Sequence, residues 1–375
     1  LRAAPIRSLS CGRIHSSTVV PRTRARGPVS AHAVLMANRE PSESVARRLK
    51  SAFRDDVFTQ DEARRVGVTA KQLRTVYDNH LVERIHRGRY RIADPSAPIG
   101  GAVALRAALG VIPDAVVSHH SAAMLHGLPE VGLASRVDRP TFTRPGNHHR
   151  DGIGFRVSGS ALAQDEIVQI GGFEVTSVAR TAIDIARTAK MPGALAVTDA
   201  GARSMIGQSI GVDPQTANGI EAIGRLRQAV RNPELVRKVQ RDFYRSIARM
   251  TAWNGIGWAR LAVRHMNPAA ESVLESVSRW SMIVSDLPLP QIGVPVADAD
   301  GTTRWLDFWW PHRRLVGEAD GAVKYTSREV LLAEKRREDA LRAVVGGFVR
   351  WDWIEAVVSP HLMVSKIRRA LARLA

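Results

Sequence analysis

Three acidic residues in the C-terminal quarter of the chain occupy adjacent predicted strands. Asp307 lies in a strand predicted over residues 305–309, and Glu318 and Asp320 lie in a strand predicted over 314–321. An alternating apolar segment over 291–296 and a turn at 299–301 come before them, so the whole segment predicts a small sheet. Carboxylates on neighbouring strands would meet at one edge of that sheet.

A fourth acid comes from the helix that precedes this sheet. Asn267-Pro268 predicts a helix start, because asparagine caps helices and proline suits the first helical position. Such a helix would place Glu271 and Glu275 one turn apart on the same side. A set of oxygen ligands made of Glu275 and the strand carboxylates suits Mg²⁺, which would hold a scissile phosphate and lower the pKa of an attacking water.

A purely structural role is the alternative for these acids. Asp307 and Glu318 would then pair with Arg304 and Arg314 at an exposed sheet edge. Exposed pairs of this kind contribute about 0–1 kcal/mol, which gives little reason to crowd acids together in a basic chain. The spacing therefore favours a site with catalytic and metal-ligating carboxylates.

A second group of residues, near the N-terminus, has the spacing of a DNA-binding element. Thr59 with Glu62 and Thr69 with Gln72 form two capping boxes, and Gly67 separates the two short helices that they open. Two strands, over 81–85 and 89–92, follow at once around a basic turn. This order predicts a helix-turn-helix followed by a hairpin.

The predicted second helix and the hairpin turn supply the DNA-contacting residues. Side chains in the N-terminal half of such a helix enter the major groove, and a basic turn can contact a phosphate or the minor groove. The alternative is a module that docks proteins, with its charges merely solvated. The candidate DNA-binding residues are Lys71, Gln72, Arg74, Thr75, Arg87 and Arg89.

Composition agrees with a nucleic-acid partner. The chain has 375 residues, with 54 Lys and Arg against 36 Asp and Glu, a formal charge of +18. Its 45% hydrophobic residues exclude wholesale disorder, and its single cysteine excludes a disulfide framework. Charged residues interrupt every apolar stretch before membrane-spanning length, so we expect a cytoplasmic protein without a membrane partner.

Other charged segments have a structural interpretation. His119, His120 and His126 lack metal-ligand spacing and predict a partly buried helix, and Arg180 and Asp184 predict an intrahelical ion pair. The basic run over 228–249 could lie along a duplex, although a solvated helix face usually explains such a run. The first 39 residues carry seven arginines and no acid, which predicts a disordered basic arm or a translation start placed too early.

The N-terminal motifs resemble those of a known family. The segment from Phe58-Thr59 to Arg89-Tyr90, with the later Ser118–Pro129 segment, resembles AbiEi-type antitoxins of type IV toxin–antitoxin systems. The resemblance covers about residues 45–200. It implies a winged helix that binds double-stranded DNA and represses its own promoter, and a cognate toxin as a partner.

The C-terminal segment, over about 268–358, is similar to the Vsr-like group of the PD-(D/E)xK nuclease superfamily. The matching residues are Glu275, Asp307, Glu318 and the Asp320-Gly321 pair. The resemblance implies a Mg²⁺-dependent endonuclease fold with those acids as catalytic residues. The lysine that the superfamily places two positions after its second acid is Asp320 here. Lys324 or Lys335 could replace that charge, or Asp320 could act as a further ligand or base.

Together these observations predict a multidomain protein of α+β or α/β class. The expected segments are a basic arm (1–43), a winged helix-turn-helix (44–96), a middle α+β domain (97–205), a helical connector (206–266) and a nuclease-like mixed sheet flanked by helices (267–375). Two functions remain open. One is a DNA-binding regulator of the antitoxin kind, and the other is a Mg²⁺-dependent deoxyribonuclease targeted by the winged helix.

Overall fold

A computed structural model describes residues 40–53, 57–93, 101–112, 114–130, 139–146, 150–152, 154–320 and 338–374, the backbone alone for 150–152. The described residues form two compact units. The N-terminal unit holds 40–117 and 139–161, and the C-terminal unit holds 118–130 and 162–374. Each unit therefore takes two stretches of chain, whereas the sequence predicts consecutive domains. Lys324 and Lys335 lie outside the described residues.

The N-terminal unit begins with three helices and a small sheet. Helix α1 (Ser42–Phe53) precedes strand β1 (Phe58–Thr59), helices α2 (Gln60–Arg65) and α3 (Ala70–Asp78), and strands β2 (Val82–His86) and β3 (Arg89–Ile92). The strands pair antiparallel in the order β1-β3-β2. Phe58, Leu49 and Val76 are fully buried at the centre of this core.

Both predicted capping boxes are present and define helices α2 and α3. The Thr59 and Thr69 hydroxyl groups accept the backbone N–H of Glu62 and Gln72, whose side chains accept the backbone N–H of the threonines in return. Gly67 has a φ of +79° in the turn between the helices, a conformation that glycine adopts without a steric cost. The local sequence therefore determines both helix starts and the turn.

The rest of the N-terminal unit contains helix α4 (Gly101–Leu109) and four strands. These are β4 (Val116–Val117), β5 (Thr141–Arg144), β6 (Arg150–Gly152) and β7 (Phe155–Gly159), which pair in the order β6-β7-β5-β4. Strands β5 and β7 are parallel and the other two pairings are antiparallel.

The C-terminal unit starts with a short helix, a hairpin and a helical layer. Its elements are α5 (His119–His126), β8 (Ile167–Ile170), β9 (Phe173–Thr176), α6 (Val178–Ala186), α7 (Met191–Ser209), α8 (Ile220–Ala229), α9 (Pro233–Ala248), α10 (Ile256–His265) and α11 (Val273–Val284). Helices α6 and α7 lie at the centre of this layer, with Ile183, Leu195 and Ile206 fully buried. Asn232 caps α9 with Pro233 at its first position, and Gly255 precedes α10, so both helices begin at residues that interrupt a preceding helix.

A four-stranded mixed sheet and helix α12 complete this unit. Strands β10 (Gln291–Ala297), β11 (Thr303–Trp310), β12 (Leu315–Ala319) and β13 (Gly347–Trp351) pair in sequence order, and α12 spans Pro360–Arg373. Only the β12–β13 pairing is parallel. A Cβ at Gly317 would lie 2.8 Å from the Trp351 ring and 2.9 Å from the Trp310 ring, so only glycine fits there.

The structure confirms the predicted α+β class, with antiparallel and mixed sheets flanked by helices. Within the described ranges, no helix combines the length and apolar character needed to cross a lipid bilayer.

Candidate functional site

The predicted acids belong to strands β11 and β12 and helix α11 of the C-terminal unit. Asp307 lies on β11, next to the Phe308–Gly317 pair of the β11–β12 register. Its Oδ2 accepts the Ala319 backbone N–H at 3.1 Å, which fixes the carboxylate at the end of β12. Glu318 lies on β12 and is 7% exposed. The antiparallel register therefore brings Asp307 and Glu318 to the same end of the sheet.

Helix α11 begins later than predicted. It starts at Val273 with Ser272 as its N-cap, and residues 267–272 are not helical. Asn267 instead accepts the Ala269 backbone N–H at 3.0 Å, a local turn that competes with helix initiation. The Ser272 hydroxyl accepts the Glu275 backbone N–H at 3.1 Å. Glu271 therefore lies before the helix rather than one helical turn from Glu275 on a shared face.

Glu275 is a buried acid held at the start of α11. It is 6% exposed, and its two carboxylate oxygens accept hydrogen bonds from the Ser272 hydroxyl at 2.8 Å and the Glu271 backbone N–H at 2.9 Å. Burial, and then the negative charge of Asp307, raise the pKa of Glu275 to about 8. The charge effect places Glu275 and Asp307 in one electrostatic environment.

Two arginines that no local sequence pattern indicates complete this environment. Arg227 forms a bidentate pair with Glu271, at 2.8 and 2.9 Å, and its guanidinium lies 5.3 Å from the Trp305 ring centre. Arg203 donates to the same carboxylate at 3.0 Å. Burial alone would raise the pKa of Glu271, but the bonds and charges of the two arginines lower it below its usual value. Asp307 and Glu275 also raise the pKa of Arg227, after Glu271 itself.

A third arginine lies beside the strand acids. Arg350 on β13 is paired in register with Glu318, and its Nε lies 2.6 Å from the Glu318 carboxylate and 4.0 Å from that of Asp320. The Asp320 backbone N–H donates to the Trp351 carbonyl oxygen at 2.9 Å. Arg350, from the neighbouring parallel strand β13, therefore supplies a positive charge next to the acids of β12.

Arg304 and Arg314 do not pair with Asp307 and Glu318 in the way that a purely structural role of these acids predicts. Arg304 donates to Asp298 at 2.6 Å, and Arg314 donates to the Val344 carbonyl oxygen. The Glu318 carboxylate pairs with Arg350 instead. Simple pairing within the β11–β12 edge therefore does not account for the burial of Glu318.

The chemistry of the donors suits a hard cation, because Glu275, Asp307 and Glu318 offer only carboxylate oxygens. Both Glu275 oxygens already accept hydrogen bonds within the protein. Among the residues that the structure describes, His, Cys, Asp and Glu form no cluster of three or more that could hold a metal ion. Lys324, the predicted cationic residue, falls in the segment 321–337, outside the described residues.

Four of the six candidate DNA-binding residues are exposed in the N-terminal unit. Lys71, Arg74 and Thr75 lie on the exposed side of α3, and Arg87 lies at the β2–β3 turn. Arg74 makes only a 3.7 Å pair with Asp78, with both side chains more than half exposed. These four side chains are accessible to a ligand.

Gln72 and Arg89 have other roles. Gln72 is 6% exposed, because its side chain caps α3, and its amide donates to Glu40 at 3.3 Å. Gln72, a candidate for a base contact in the sequence, is therefore turned away from the exposed side of α3. Arg89 donates to the Gly110 carbonyl oxygen at 2.6 Å, which holds its guanidinium away from the turn. Arg84 on β2 is exposed and was missed by the sequence analysis.

The predicted Arg180–Asp184 pair is confirmed but lies in the core. The two side chains are 2.9 Å apart and at most 1% exposed. Glu166 is a second buried partner of Arg180, at 3.2 Å. His126 is buried in the same unit, with Nε2 2.7 Å from the Thr176 carbonyl oxygen, and burial lowers its pKa. These contacts agree with the structural interpretation of helix α5.

Comparison with known proteins finds relatives without an established activity. The chain is 26% identical over 313 residues to an uncharacterized protein of Mycobacterium tuberculosis, found in two strains. The alignment covers 82% of this chain and 98% of the relative. No protein-family model matches the chain. The similarity therefore extends over nearly the whole length of the relative and is not confined to one shared domain.

Proposed function

We propose that this protein binds double-stranded DNA through a winged helix in its N-terminal unit. The observation that carries the proposal is the exposed set Lys71, Arg74 and Thr75 on a helix whose start is fixed by a capping box. The order helix, turn, helix and hairpin, with Arg87 at the hairpin turn, is typical of winged helices that place the second helix in the major groove. Arginine and lysine there can contact guanine edges or phosphates.

The finer proposal is a transcriptional regulator of the AbiEi antitoxin type that binds its own upstream DNA and has a cognate toxin. Its support is the sequence resemblance over residues 45–200. A nucleotidyltransferase-like toxin gene beside the coding sequence would support this role. An isolated gene would count against it.

Binding to the upstream DNA tests the proposal directly. Fluorescence anisotropy should show tighter binding to the upstream duplex than to an unrelated duplex of equal length. Lys71→Ala/Arg74→Ala should reduce this preference by about tenfold or more, since each good base contact contributes about 1–3 kcal/mol of discrimination. Arg47→Ala/Lys50→Ala removes the same charge from exposed positions on α1 and should retain the preference. Equal affinity of the Lys71/Arg74 variant and the unaltered protein would refute the recognition helix.

A second candidate function is Mg²⁺-dependent hydrolysis of DNA at the C-terminal site. The specific observation in its favour is a buried carboxyl group, Glu275, whose pKa is raised first by burial and then by the charge of Asp307; a divalent cation would stabilise the charged form of both acids. Glu275, Asp307 and Glu318 would hold the ion, with Asp320 as a further ligand or base, but their described positions do not form a metal-holding cluster, so binding would require these side chains to move together. When bound, Mg²⁺ would supply charge stabilisation and an activated water.

Plasmid cleavage tests the second function. Supercoiled plasmid with Mg²⁺ should be nicked by the unaltered protein and left intact by Asp307→Ala/Glu318→Ala. Addition of a chelator should abolish the cleavage. Equal nicking by the two proteins, or none by either, would refute a nuclease at this site.

A further inference from the structure

Helix α9 presents a basic face on the surface of the C-terminal unit. Arg237, Lys238, Arg241 and Arg245 are all exposed, and Tyr244 between them is 37% exposed. The opposite side of the helix is apolar and packs in the core, with residues Val239, Phe243 and Ile247 buried. With 3.6 residues per turn, the five exposed residues fall within about one third of the helix circumference.

Three of these cations have no acidic partner within the described parts of the chain: Arg237, Lys238 and Arg241. Arg245 shares its charge with Asp242 at 3.1 Å. Glu234 lies on the same face in the first turn of the helix. Other arginines of this unit are paired, such as Arg227 with Glu271 and Arg249 with Asp165.

The neighbouring helix α10 also carries exposed basic residues. Gln240 on α9 donates to the Val263 carbonyl oxygen of α10 at 3.3 Å, which joins the two helices. Helix α10 carries exposed Arg260 and Arg264, and Trp258 on it is 53% exposed. On α9 itself, Tyr244 lies between Arg241 and Arg245, and an aromatic side chain among basic ones on a surface is typical of nucleic-acid contacts.

The basic stripe on α9 is long enough to pass several phosphates of a DNA strand. Arg237, Arg241 and Arg245 are four residues apart, so that the stripe is about 12 Å long. Phosphates of one DNA strand follow each other at about 3.4 Å along the duplex axis, so the stripe extends past three or four of them. Like charges one turn apart repel each other in a helix, and a bound polyanion would relieve this repulsion.

We propose that the exposed face of α9 is a second contact for duplex DNA, one that binds the phosphate backbone without reading sequence. This inference rests on the proposed function, since it takes DNA to be the ligand, and it adds a contact in the unit that carries the carboxylates. Sequence preference would then come from α3, and α9 would add affinity that depends on salt.

The test measures the salt dependence of binding to a 30-base-pair duplex of arbitrary sequence. For Arg237→Ala/Lys238→Ala/Arg241→Ala, the slope of log affinity against log salt should fall by roughly two to three units, because each lost phosphate contact accounts for about 0.9. The preference for the upstream duplex should remain. A charge-preserving variant, Arg237→Lys/Arg241→Lys, should keep most of the slope. It separates the loss of charge from any effect of substitution on folding.

The control removes three exposed arginines from helix α12, as Arg368→Ala/Arg369→Ala/Arg373→Ala. It should leave the slope nearly unchanged. An unchanged slope in the α9 variant, or an equal drop in the α12 variant, would overturn the proposal while leaving the proposed function intact. No binding of any duplex by the unaltered protein would overturn both.

Discussion

At the residue scale, Glu275 has an environment that its sequence context does not indicate. Its position in the sequence indicates an ordinary residue in the first turn of a helix. In the fold it is buried, accepts two hydrogen bonds and lies within the field of Asp307. An acid of this kind stays protonated well above the pH at which an exposed glutamate ionises.

This environment makes stability depend on pH. The pKa of Glu275 is raised from 4.5 to about 8, so between those values the folded protein binds more protons than the unfolded chain. Stability from this group is therefore fully present below pH 4.5 and is lost as the pH rises towards 8, by up to about 1.4 kcal/mol per pH unit.

Urea unfolding of Glu275→Gln from pH 5 to 8 should show a smaller decline in the free energy of unfolding than the unaltered protein shows. Burial also raises the pKa of Asp199, to about 6. Asp199 therefore also lowers stability as the pH rises, but it does so equally in both proteins. Parallel pH profiles for the two proteins would contradict this account of Glu275.

Asp199 supports a second prediction at this scale. It is 1% exposed and accepts bonds at 2.7 Å from Arg279, from the Ser276 hydroxyl and from the Asn267 backbone N–H. Asp199→Asn leaves the buried guanidinium of Arg279 without its anion, so we expect a loss of about 3–5 kcal/mol in the free energy of unfolding.

The matched control is Asp242→Asn, which breaks the more exposed pair with Arg245. It should cost at most about 1 kcal/mol, because solvent screens such pairs. Chemical denaturation measures both variants. Similar losses in the two would show that burial of the Asp199 pair is not decisive.

At the element scale, the capping boxes decide where α2 and α3 begin. In each helix, a threonine hydroxyl and the side chain of the residue at N3 form the capping box, and the structure confirms both boxes. The cap of α3 also explains why Gln72 turns inward: its amide bonds to the Thr69 backbone and to Glu40. A side chain that fixes the helix start is therefore unavailable for a base contact from the exposed face.

Removal of a cap should destabilise the N-terminal unit. Thr69→Ala eliminates the hydroxyl that accepts the Gln72 N–H, and we expect a loss of about 1 kcal/mol. Thr69→Ser keeps the hydroxyl and should lose much less. Thermal unfolding followed by circular dichroism compares the two variants. A serine variant as unstable as the alanine variant would show that the methyl group, rather than the cap, matters at this position.

At the scale of the whole molecule, the excess of positive charge is unevenly distributed. Seven arginines and no acid precede Glu40, and Arg237, Lys238 and Arg241 on α9 have no acidic partner among the described residues. Around the carboxylates, by contrast, arginines 203, 227 and 350 are paired with acids. Unpaired charge on a surface attracts polyanions at a distance, whereas paired charge mainly holds the fold together.

A shortened chain that starts at Glu40 tests the contribution of the first segment. It loses seven positive charges, so its affinity for an unrelated duplex at 50 mM salt should fall, and the salt slope should become shallower. Its preference for the upstream duplex should persist if α3 provides recognition. The free energy of unfolding should stay within about 0.5 kcal/mol, because that segment has no apolar periodicity. A shortened chain with unaltered DNA affinity would show that this charge does not contact DNA.

The sequence alone determined the features that depend on neighbours within a few residues. Capping boxes, the turn at Gly67, the break at Asn232-Pro233 and the alternation in β11 all follow from local hydrogen bonds and side-chain period. Where two local signals compete, as at Asn267 and Ser272, the sequence did not decide which one caps helix α11.

Only the tertiary structure decided which distant groups share an environment. Arg227 meets Glu271 across 44 residues of chain, Arg350 meets Glu318 across 32, and Gln72 turns towards Glu40 across 32. It also decided that Glu275 is buried next to Asp307. Such contacts depend on strand register and helix packing, which arise from the whole core and have no short-range pattern in the chain.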